Sequence, residues 1–166
     1  TKYSKSMGMT YTDVDGSIKT PIMGCYGIGV GRLAASVMEA KHDDYGPIWP
    51  ITIAPWQVHL CCMRPDKDEC KTAADNIYNE LQEAGIEVIY DDRNVSAGIM
   101  FADADLLGVP VRVTVGPKTL ANGQIELSTR DKSVKKLVAI DDAVSETKNL
   151  VNELFEAINS VVRPRK

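Results

Sequence analysis

The spacing of apolar residues along the chain becomes regular after residue 56. Short apolar runs, typical of strands, alternate there with longer segments whose apolar residues recur at helical spacing. The pattern predicts strands at residues 57–63, 86–90, 111–115, 124–128 and 135–140. It predicts helices at residues 66–84 and 98–107, and a last helix with its apolar stripe at Val144, Thr147, Val151, Leu154, Phe155, Ile158 and Val162.

The order of these elements predicts how the strands pair. A strand, a long helix and a second strand form a right-handed crossover, which makes the strands at 57–63 and 86–90 parallel. The last two strands follow each other around a polar turn and are predicted to be antiparallel. We therefore expect an α/β fold, with a five-stranded mixed sheet and three helices, from residue 57 to the end.

The first 56 residues follow a different pattern. A hairpin turn between short strands is predicted at Asp13-Val14-Asp15-Gly16, followed by a strand-like segment at 23–31 and a helix at 32–41. Residues 42–56 contain three prolines, which interrupt regular structure and indicate a connection between domains. The expected organisation is a first domain at residues 1–45, a linker at 46–56 and a second domain at 57–166.

Composition narrows the possible classes of function. Of the 166 residues, 44% are apolar and 25% are charged, as in an ordinary soluble globular protein. No apolar run approaches the roughly 18 residues of a membrane span, so no membrane partner is expected. The net charge of −4 argues against broad binding to DNA or RNA. A local basic cluster at Arg130, Lys132, Lys135 and Lys136 fits a small binding patch or a solvated face.

The cysteines and histidines predict no metal site. Cys61 and Cys62 are adjacent in a predicted strand and point to opposite faces, and neither histidine completes a metal-binding pattern. Buried, reduced thiols in a cytoplasmic protein are the expected interpretation.

The most informative segment is Gly24-Cys25-Tyr26-Gly27-Ile28-Gly29-Val30-Gly31-Arg32. In a strand, Gly27, Gly29 and Gly31 lie on one face and leave it without side chains, so that a flat ligand fits against the backbone. Arg32 follows at the start of the helix, in a position to meet phosphate oxygens or stack on a base. The glycine spacing matches neither the phosphate-binding loop nor the dinucleotide fingerprint. A tight strand–helix junction explains the glycines equally well.

This segment, continued by Leu33-Ala34-Ala35, resembles motif 3 of the class II aminoacyl-tRNA synthetases, in the form found in bacterial-type prolyl-tRNA synthetases. The opening Thr1-Lys2-Tyr3-Ser4 resembles a segment that precedes motif 3 in that family. The resemblance implies that Arg32 is catalytic and binds ATP, and that Cys25 lies at the proline pocket. It also implies an adenylate-binding face at Gly27, Gly29 and Gly31. Residues 1–45 would then be a strand-and-helix remnant of the class II antiparallel catalytic domain.

The second half of the chain resembles the anticodon-binding domain of the same family. The matching residues are Asp91-Asp92-Arg93, Gly98, the run from Phe101 to Pro110, Arg112, Val115-Gly116, Gly123, Glu126 and Arg130. The connection matches at Ile48-Trp49-Pro50, Ala54-Pro55 and His59. Because the matches follow chain order over nearly the whole chain, they are more specific than any single motif. They imply a module that reads the guanines of the proline anticodon.

Reading guanine requires particular side chains. A carboxylate accepts from guanine N1 and N2, an arginine donates to O6 and N7, and an aromatic ring stacks on the base. The expected anticodon-binding residues are Arg93, Phe101, Asp105, Arg112, Glu126 and Arg130, of which Arg93 and Arg130 are favoured. The structural alternatives are that Phe101 belongs to the core and that Arg112 pairs with Asp103 or Asp105.

The resemblance implies a parent ligase that activates proline with ATP and Mg²⁺ and charges tRNA(Pro), as a homodimer in the cytoplasm. The chain has no counterpart of motifs 1 and 2, so it is expected to be a C-terminal fragment that binds no cofactor and is inactive alone. The alternatives are a stand-alone RNA-binding module, a glycine-rich nucleotide-binding protein unrelated to tRNA, and another class II synthetase, for histidine, threonine or glycine. The ordered match in the second half favours the proline enzyme.

Overall fold

The computed structural model describes residues 1–161. Its strands are β1 Tyr11–Thr12, β2 Ile18–Lys19, β3 His42–Asp43, β4 Gly46–Pro47, β5 Val58–Cys62, β6 Val88–Asp91, β7 Val111–Val115, β8 Gln124–Thr129 and β9 Lys135–Ala139. Its helices are α1 Lys2–Ser6, α2 Val30–Ala40, α3 Asp68–Glu83, α4 Ala97–Leu107, α5 Pro117–Leu120 and α6 Ala143–Asn159, with one turn of 3₁₀ helix at Ile140–Asp142.

The contacts within the chain define two compact units, one from Thr1 to Ala34 and one from Ala35 onward. This division lies earlier than the predicted linker at 46–56. The division into domains at 1–45 and 57–166 stays a prediction about the parent protein.

The first unit contains a small hairpin. Strands β1 and β2 are antiparallel, with Tyr11 opposite Lys19 and Thr12 opposite Ile18. They flank the turn predicted at residues 13–16, which Gly16 closes with φ +78°. In α1, the buried Ser4 hydroxyl donates a hydrogen bond of 2.6 Å to the carbonyl oxygen of Pro21, which ties the start of the chain to the segment after the hairpin.

The predicted strand at residues 23–31 is wrong. Residues 20–29 have no regular secondary structure, and Gly31 belongs to α2. A strand needs a neighbouring strand to satisfy its backbone N–H and C=O groups, and none of the described strands pairs with this segment. Gly27, Gly29 and Gly31 therefore do not share one strand face. The predicted helix at 32–41 is observed as α2, and none of its residues is buried.

The second unit contains the predicted five-stranded mixed sheet, in the order β6-β5-β7-β8-β9. Strand β5 is parallel to both β6 and β7, and β8 is antiparallel to both β7 and β9. The parallel pairing of β5 and β6 confirms the predicted crossover through α3. The three predicted helices are α3, α4 and α6. Among the described residues, the sequence pattern missed α1, the short strands β3 and β4, the single-turn α5 and the 3₁₀ turn.

One face of this sheet is covered by α3 and α6, which form the main core with it. Fully buried sheet residues on this face include Val58, Leu60, Cys62, Val111, Val113, Ile125 and Leu127. Helix α3 contributes Cys70, Ala74, Ile77 and Leu81, as its predicted apolar face requires, and Gly85 ends it with φ +77°. Helix α6 contributes Thr147, Leu150 and Val151. Asp142 precedes α6, but its side chain makes no capping hydrogen bond, and Val162 lies outside the described residues.

The opposite face of the sheet is only partly covered. Helix α4 lies over β5, where Cys61, Met100 and Ala104 form a second, small apolar cluster. Cys61 and Cys62 thus face opposite sides of the sheet, as predicted. The helix begins at Ser96, whose Oγ accepts a hydrogen bond from the N–H of Ile99, and ends at Gly108 in the left-handed conformation. Strands β7 to β9 are left open on this face, where their polar side chains lie.

The segment before β5 packs on the end of α4. The N–H of Trp49 donates to the carbonyl oxygen of Gly108 at 3.2 Å, and its indole Nε1 donates to the carbonyl oxygen of Leu107 at 3.1 Å. Ile51 is buried, and Ile48 and Trp49 are partly buried, so this segment packs against the second unit to which it belongs.

Candidate nucleic-acid interface

The open face of the sheet forms a pocket of about 370 Å³ beside α4. Five of the six predicted anticodon-binding residues line it together, namely Phe101, Asp105, Arg112, Glu126 and Arg130. They come from α4, β7, β8 and the residue that follows β8. The sixth, Arg93, lines a different cavity. The fold therefore gathers into one place residues that are spread over thirty positions of the sequence.

Arg112 is held in this pocket by two neighbours. Its Nη2 donates to the carboxylate of Asp105, which is the pairing expected as a structural alternative. The guanidinium carbon lies 5.5 Å from the ring centroid of Phe101, close enough for a cation–π contact. Phe101 is partly buried and does not belong to either core cluster. Its ring therefore supports the arginine, whose side chain remains 15% exposed.

Glu126 provides a carboxylate beside this arginine. It lies on β8 opposite Thr114 of β7, and the following open-face residue, Ser128, is opposite Arg112. The carboxylate forms an ion pair of 3.2 Å with Lys135 of β9 and is 26% exposed. An exposed ion pair of this kind contributes little to stability, so Glu126 remains available to a ligand.

Arg130 is buried at the edge of the pocket, and its guanidinium is fully engaged. Its Nη1 and Nη2 donate to the two carboxylate oxygens of Asp43 at 2.8 and 2.7 Å. Nε donates to the carbonyl oxygen of Asp105 at 3.0 Å, and Nη2 also donates to that of Gly46 at 3.2 Å. The two hydrogen bonds from Arg130 to the Asp43 carboxylate hold the pKa of Asp43 well below its usual range. The expected contact of Arg130 with RNA stays a prediction, and its observed contacts are structural.

A second cavity of about 370 Å³ lies beside α4 and contains Arg93. Arg93 donates from Nε and Nη2 to the carboxylate of Asp91 at 2.9 and 2.8 Å, and from Nη2 to Asp103 at 2.8 Å. The hydrogen bonds from Arg93 lower the pKa of Asp91, although burial opposes the shift. The side chain of Arg93 is 51% exposed, so it stays accessible.

His59 lines the same cavity and is almost completely buried, with 2% of its surface exposed. Neither ring nitrogen has a hydrogen-bond partner among the described residues. Burial, followed by the positive charge of Arg112, lowers the pKa of His59 to about 4. The imidazole is therefore neutral near pH 7.

The buried histidine makes stability depend on pH. The native pKa of His59 is about 4 and the ordinary value is 6.5, so the unfolded chain binds a proton below pH 6.5 that the native chain does not accept until near pH 4. We expect the free energy of unfolding to fall by about 2 kcal/mol between pH 7 and pH 5 from this group. His59→Leu removes this part of the dependence in urea titrations, and His42→Gln, at an exposed position, retains it. Equal losses in wild type and His59→Leu would contradict the assignment.

Comparison with known proteins agrees with this geometry. A family model described as an anticodon binding domain matches residues 57–150. The proline–tRNA ligase of Geobacter sp. (strain M21) is 46% identical over 94% of this chain and 27% of its own length. The corresponding enzyme of Rhizorhabdus wittichii is 48% identical over 87% of this chain and 33% of its own length. The chain belongs to the proline–tRNA ligase family. It spans about a quarter to a third of the length of these relatives.

A solved structure shares the fold. The prolyl-tRNA synthetase of Cryptosporidium parvum, complexed with L-proline and AMP, aligns over 95% of this chain and 34% of its own length, with a TM-score of 0.67 and 22% identity. The sequence-based assignment to the family and its fold class is confirmed. The relatives named above are proline–tRNA ligases, which places the chain in that family and not in the histidine, threonine or glycine alternatives.

The residues that resemble motif 3 of the family lie in the first unit. Cys25, Gly27 and Gly29 are exposed in the segment without regular secondary structure, and Gly31 and Arg32 belong to α2. An added Cβ would meet no atom within 4 Å at Gly27 or Gly31. The roles implied for these five residues in binding ATP, adenylate and proline stay predictions.

Two residues of the pocket were not among the six predicted anticodon-binding residues. Lys132 and Lys135 line it, and the ammonium of Lys132 lies 4.7 Å from the ring centroid of Tyr45, which is 63% exposed. The basic cluster at 130–136 was the available signal, and its role as a binding patch stays a prediction. Nothing near Tyr45 in the sequence indicates this contact.

Membrane-spanning helices and metal-binding clusters are both absent from residues 1–161. Within residues 1–161, no helix is long and apolar enough to cross a membrane. The same residues contain no group of three or more histidine, cysteine, aspartate and glutamate side chains arranged to hold a metal ion.

Proposed function

We propose that this chain is the anticodon-reading part of a proline–tRNA ligase and that its specific partner is the anticodon loop of tRNA(Pro). The observation that carries the proposal is the pocket in which Glu126 and Arg112 lie on one open sheet face, supported by Phe101. Guanine presents N–H donors at N1 and N2 and acceptors at O6 and N7. A carboxylate and an arginine side by side are complementary to that pattern.

Each side chain of the pocket then has a distinct part. Glu126 accepts from the Watson–Crick edge of a guanine, and Arg112 donates to the acceptors of a guanine. Asp105 and Phe101 fix the orientation of the Arg112 guanidinium through the ion pair and the ring contact. Lys132 and Lys135, at the rim, are positioned to attract backbone phosphates, which compensates locally for the net charge of −4.

The catalytic activity belongs to the longer protein. We infer that the parent activates proline with ATP and Mg²⁺ and charges tRNA(Pro) as a cytoplasmic homodimer, and that Arg32, Cys25 and the glycines at 27, 29 and 31 contribute to its active site. The proline and AMP bound to the Cryptosporidium parvum structure support this proposal. The present chain spans 27% of the Geobacter relative and is expected to bind RNA without aminoacylating it.

The replacement Glu126→Gln tests the proposed guanine contact. Glutamine keeps the shape of the side chain but replaces one acceptor by an N–H₂ group that opposes the N–H donors of guanine. We expect the affinity for a proline anticodon stem-loop, measured by titration at one fixed salt concentration, to fall about 10-fold. A stem-loop with both anticodon guanines changed to adenine should bind weakly to wild type. Its affinity for the Glu126→Gln variant should be only slightly lower than its affinity for wild type.

The matched control is Glu146→Gln. Glu146 also forms an ion pair with a lysine of β9, Lys136, and its side chain, 36% exposed, lies on α6 rather than in the pocket. This variant should bind the proline stem-loop like wild type. If both glutamine variants lower affinity equally, the effect is one of charge alone and Glu126 does not read guanine. If wild type binds guanine and adenine loops equally well, the proposed function itself is wrong.

A further inference from the structure

The cavity on the Arg93 side of α4 has the composition of a small ligand site. Its walls include the apolar side chains of Ile89, Leu106 and Leu107. Its polar groups are His59, Asp91, Arg93 and Asp103. A volume of about 370 Å³ lies at the lower end of the range for small-molecule sites and suits one planar ring system rather than an extended chain.

His59 is the group in this cavity that lacks a partner. A buried polar group without a hydrogen bond destabilises the native state, and nearly all such groups in native proteins are satisfied. A neutral imidazole offers one N–H donor and one acceptor nitrogen. A ligand that presents an acceptor or a donor to His59 satisfies a group that the described protein atoms leave unpaired.

The charges in the cavity restrict the class of ligand. Asp91 and Asp103 carry two negative charges, Arg93 carries one positive charge, and the imidazole is neutral because burial lowers its pKa to about 4. A net negative lining disfavours phosphate and other anions. Arg93 donates to the two carboxylates through Nε and Nη2. Its Nη1 makes no hydrogen bond to the described residues, so this group is available to donate to a neutral acceptor on a ligand. These groups fit an uncharged nitrogen heterocycle.

The position of the cavity indicates where such a ring comes from. His59 of β5 and Arg112 of β7 are partners in the parallel register, so their side chains lie next to each other on the same face of the sheet. Asp103 and Asp105, two residues apart on α4, line the cavity and the guanine pocket respectively. The helix therefore separates two adjacent sites, and a single-stranded loop that crosses it reaches both.

We propose that the cavity lined by His59, Asp91, Arg93 and Asp103 binds one further nucleobase of the same RNA loop whose guanines occupy the pocket on the other side of α4. This inference rests on the proposed anticodon-reading function. The ring stacks against the apolar wall, and its edge exchanges hydrogen bonds with the His59 imidazole and the free Nη1 of Arg93. His59 becomes a specificity-determining residue for a loop position outside the two guanines.

An abasic scan of the loop with this chain tests the proposal. Each nucleotide outside the two guanines is replaced in turn by an abasic site, and binding is measured with wild type and with His59→Leu. One position should weaken wild-type binding at least about 5-fold and have no further effect on the variant. If no such position exists while abasic guanines still weaken binding, the cavity takes no base and the proposed function stands. If abasic guanines also have no effect, or the loop does not bind, both proposals fail.

A second measurement needs no substitution in the protein. The chain has two histidines, so a ¹⁵N–¹H spectrum of the imidazoles contains one signal set from His59 and one from the exposed His42 as an internal reference. The intact loop should shift the His59 signals, and the loop that is abasic at the identified position should leave them unshifted. Because both RNAs keep the guanines, an indirect effect through Arg112 is the same in both. Equal shifts with both RNAs, or none with either, overturn the proposal.

Discussion

Replacing Arg130 with methionine is expected to lower the free energy of unfolding by about 3 kcal/mol. The arginine side chain is fully buried, and its guanidinium donates to both oxygens of Asp43 and to the carbonyls of Asp105 and Gly46. Methionine occupies a similar volume but removes all of these hydrogen bonds, so that, among the described residues, the Asp43 carboxylate keeps only the one from the N–H of Tyr45. Because Asp43 is itself 29% exposed, the loss should lie at the lower end of that for a fully buried ion pair. Urea denaturation at pH 7 measures it.

The matched control for this experiment is Arg64→Met. Arg64 also pairs with a carboxylate through two hydrogen bonds of 2.7 Å, to Asp66, but the two side chains are 50% and 40% exposed. Its loss should cost less than about 1 kcal/mol. In the double variant Arg130→Met with Asp43→Asn, the total loss should be smaller than the sum of the single losses, because the unpaired charge is gone. If the Arg130 and Arg64 variants lose the same free energy of unfolding, the buried contacts of Arg130 stabilise the protein no more than an exposed ion pair does.

The fold of the second unit follows closely from local pattern. The sequence predicts these elements because the signals are local. They are the alternation of burial along β8, the apolar face of α3 and the glycines that end α3 and α4. The parallel pairing of β5 and β6 follows from the handedness of a strand–helix–strand unit. The prediction of a strand at residues 23–31 was wrong because glycines at every second position indicate a strand only if another strand lies beside them.

The sequence predicted residues that the fold brings together, but their roles in binding stay predictions and Arg93 lies in a different cavity. Phe101, Asp105, Arg112 and Glu126 converge on one pocket, as the family resemblance implied. The burial of Arg130 was not predictable, because its partner Asp43 comes from a segment that looked like a loop before the domain. His59 gave no signal either, since a histidine on a strand is more often satisfied than unpaired, and only the tertiary structure shows that its partners are missing.

The same long-range contacts connect the segment before β5 to the guanine pocket. Arg130 binds Asp43 on one side and the carbonyl of Asp105 on the other, and the carboxylate of Asp105 holds Arg112. Loss of Arg130 is therefore expected to disturb the orientation of Arg112, the side chain proposed to read guanine, which Arg130 does not touch. The segment before β5 is therefore structurally part of the second unit that carries the candidate site.

The close packing of the segment at Pro47 against the end of α4 depends on Gly108. Gly108 has φ +72°, and a Cβ built there would lie 2.3 Å from the carbonyl oxygen of Pro47, a backbone atom that cannot move without the strand β4. We expect Gly108→Ala to lower the free energy of unfolding by about 3 kcal/mol, of which about 1 kcal/mol is the left-handed backbone and the rest is the clash. Urea denaturation gives the total.

Gly85→Ala separates these two contributions. Gly85 ends α3 with φ +77°, almost the same conformation, but an added Cβ there meets no atom within 4 Å. It should therefore lose only about 1 kcal/mol, the cost of the backbone conformation. The indole N–H signal of Trp49, which donates to Leu107 beside the clash, should shift in Gly108→Ala and not in Gly85→Ala, with Trp56 as reference. If the two alanine variants are equally stable and the Trp49 signal is unchanged, the segment is not fixed against α4 and the proposed link from Asp43 to the guanine pocket is lost.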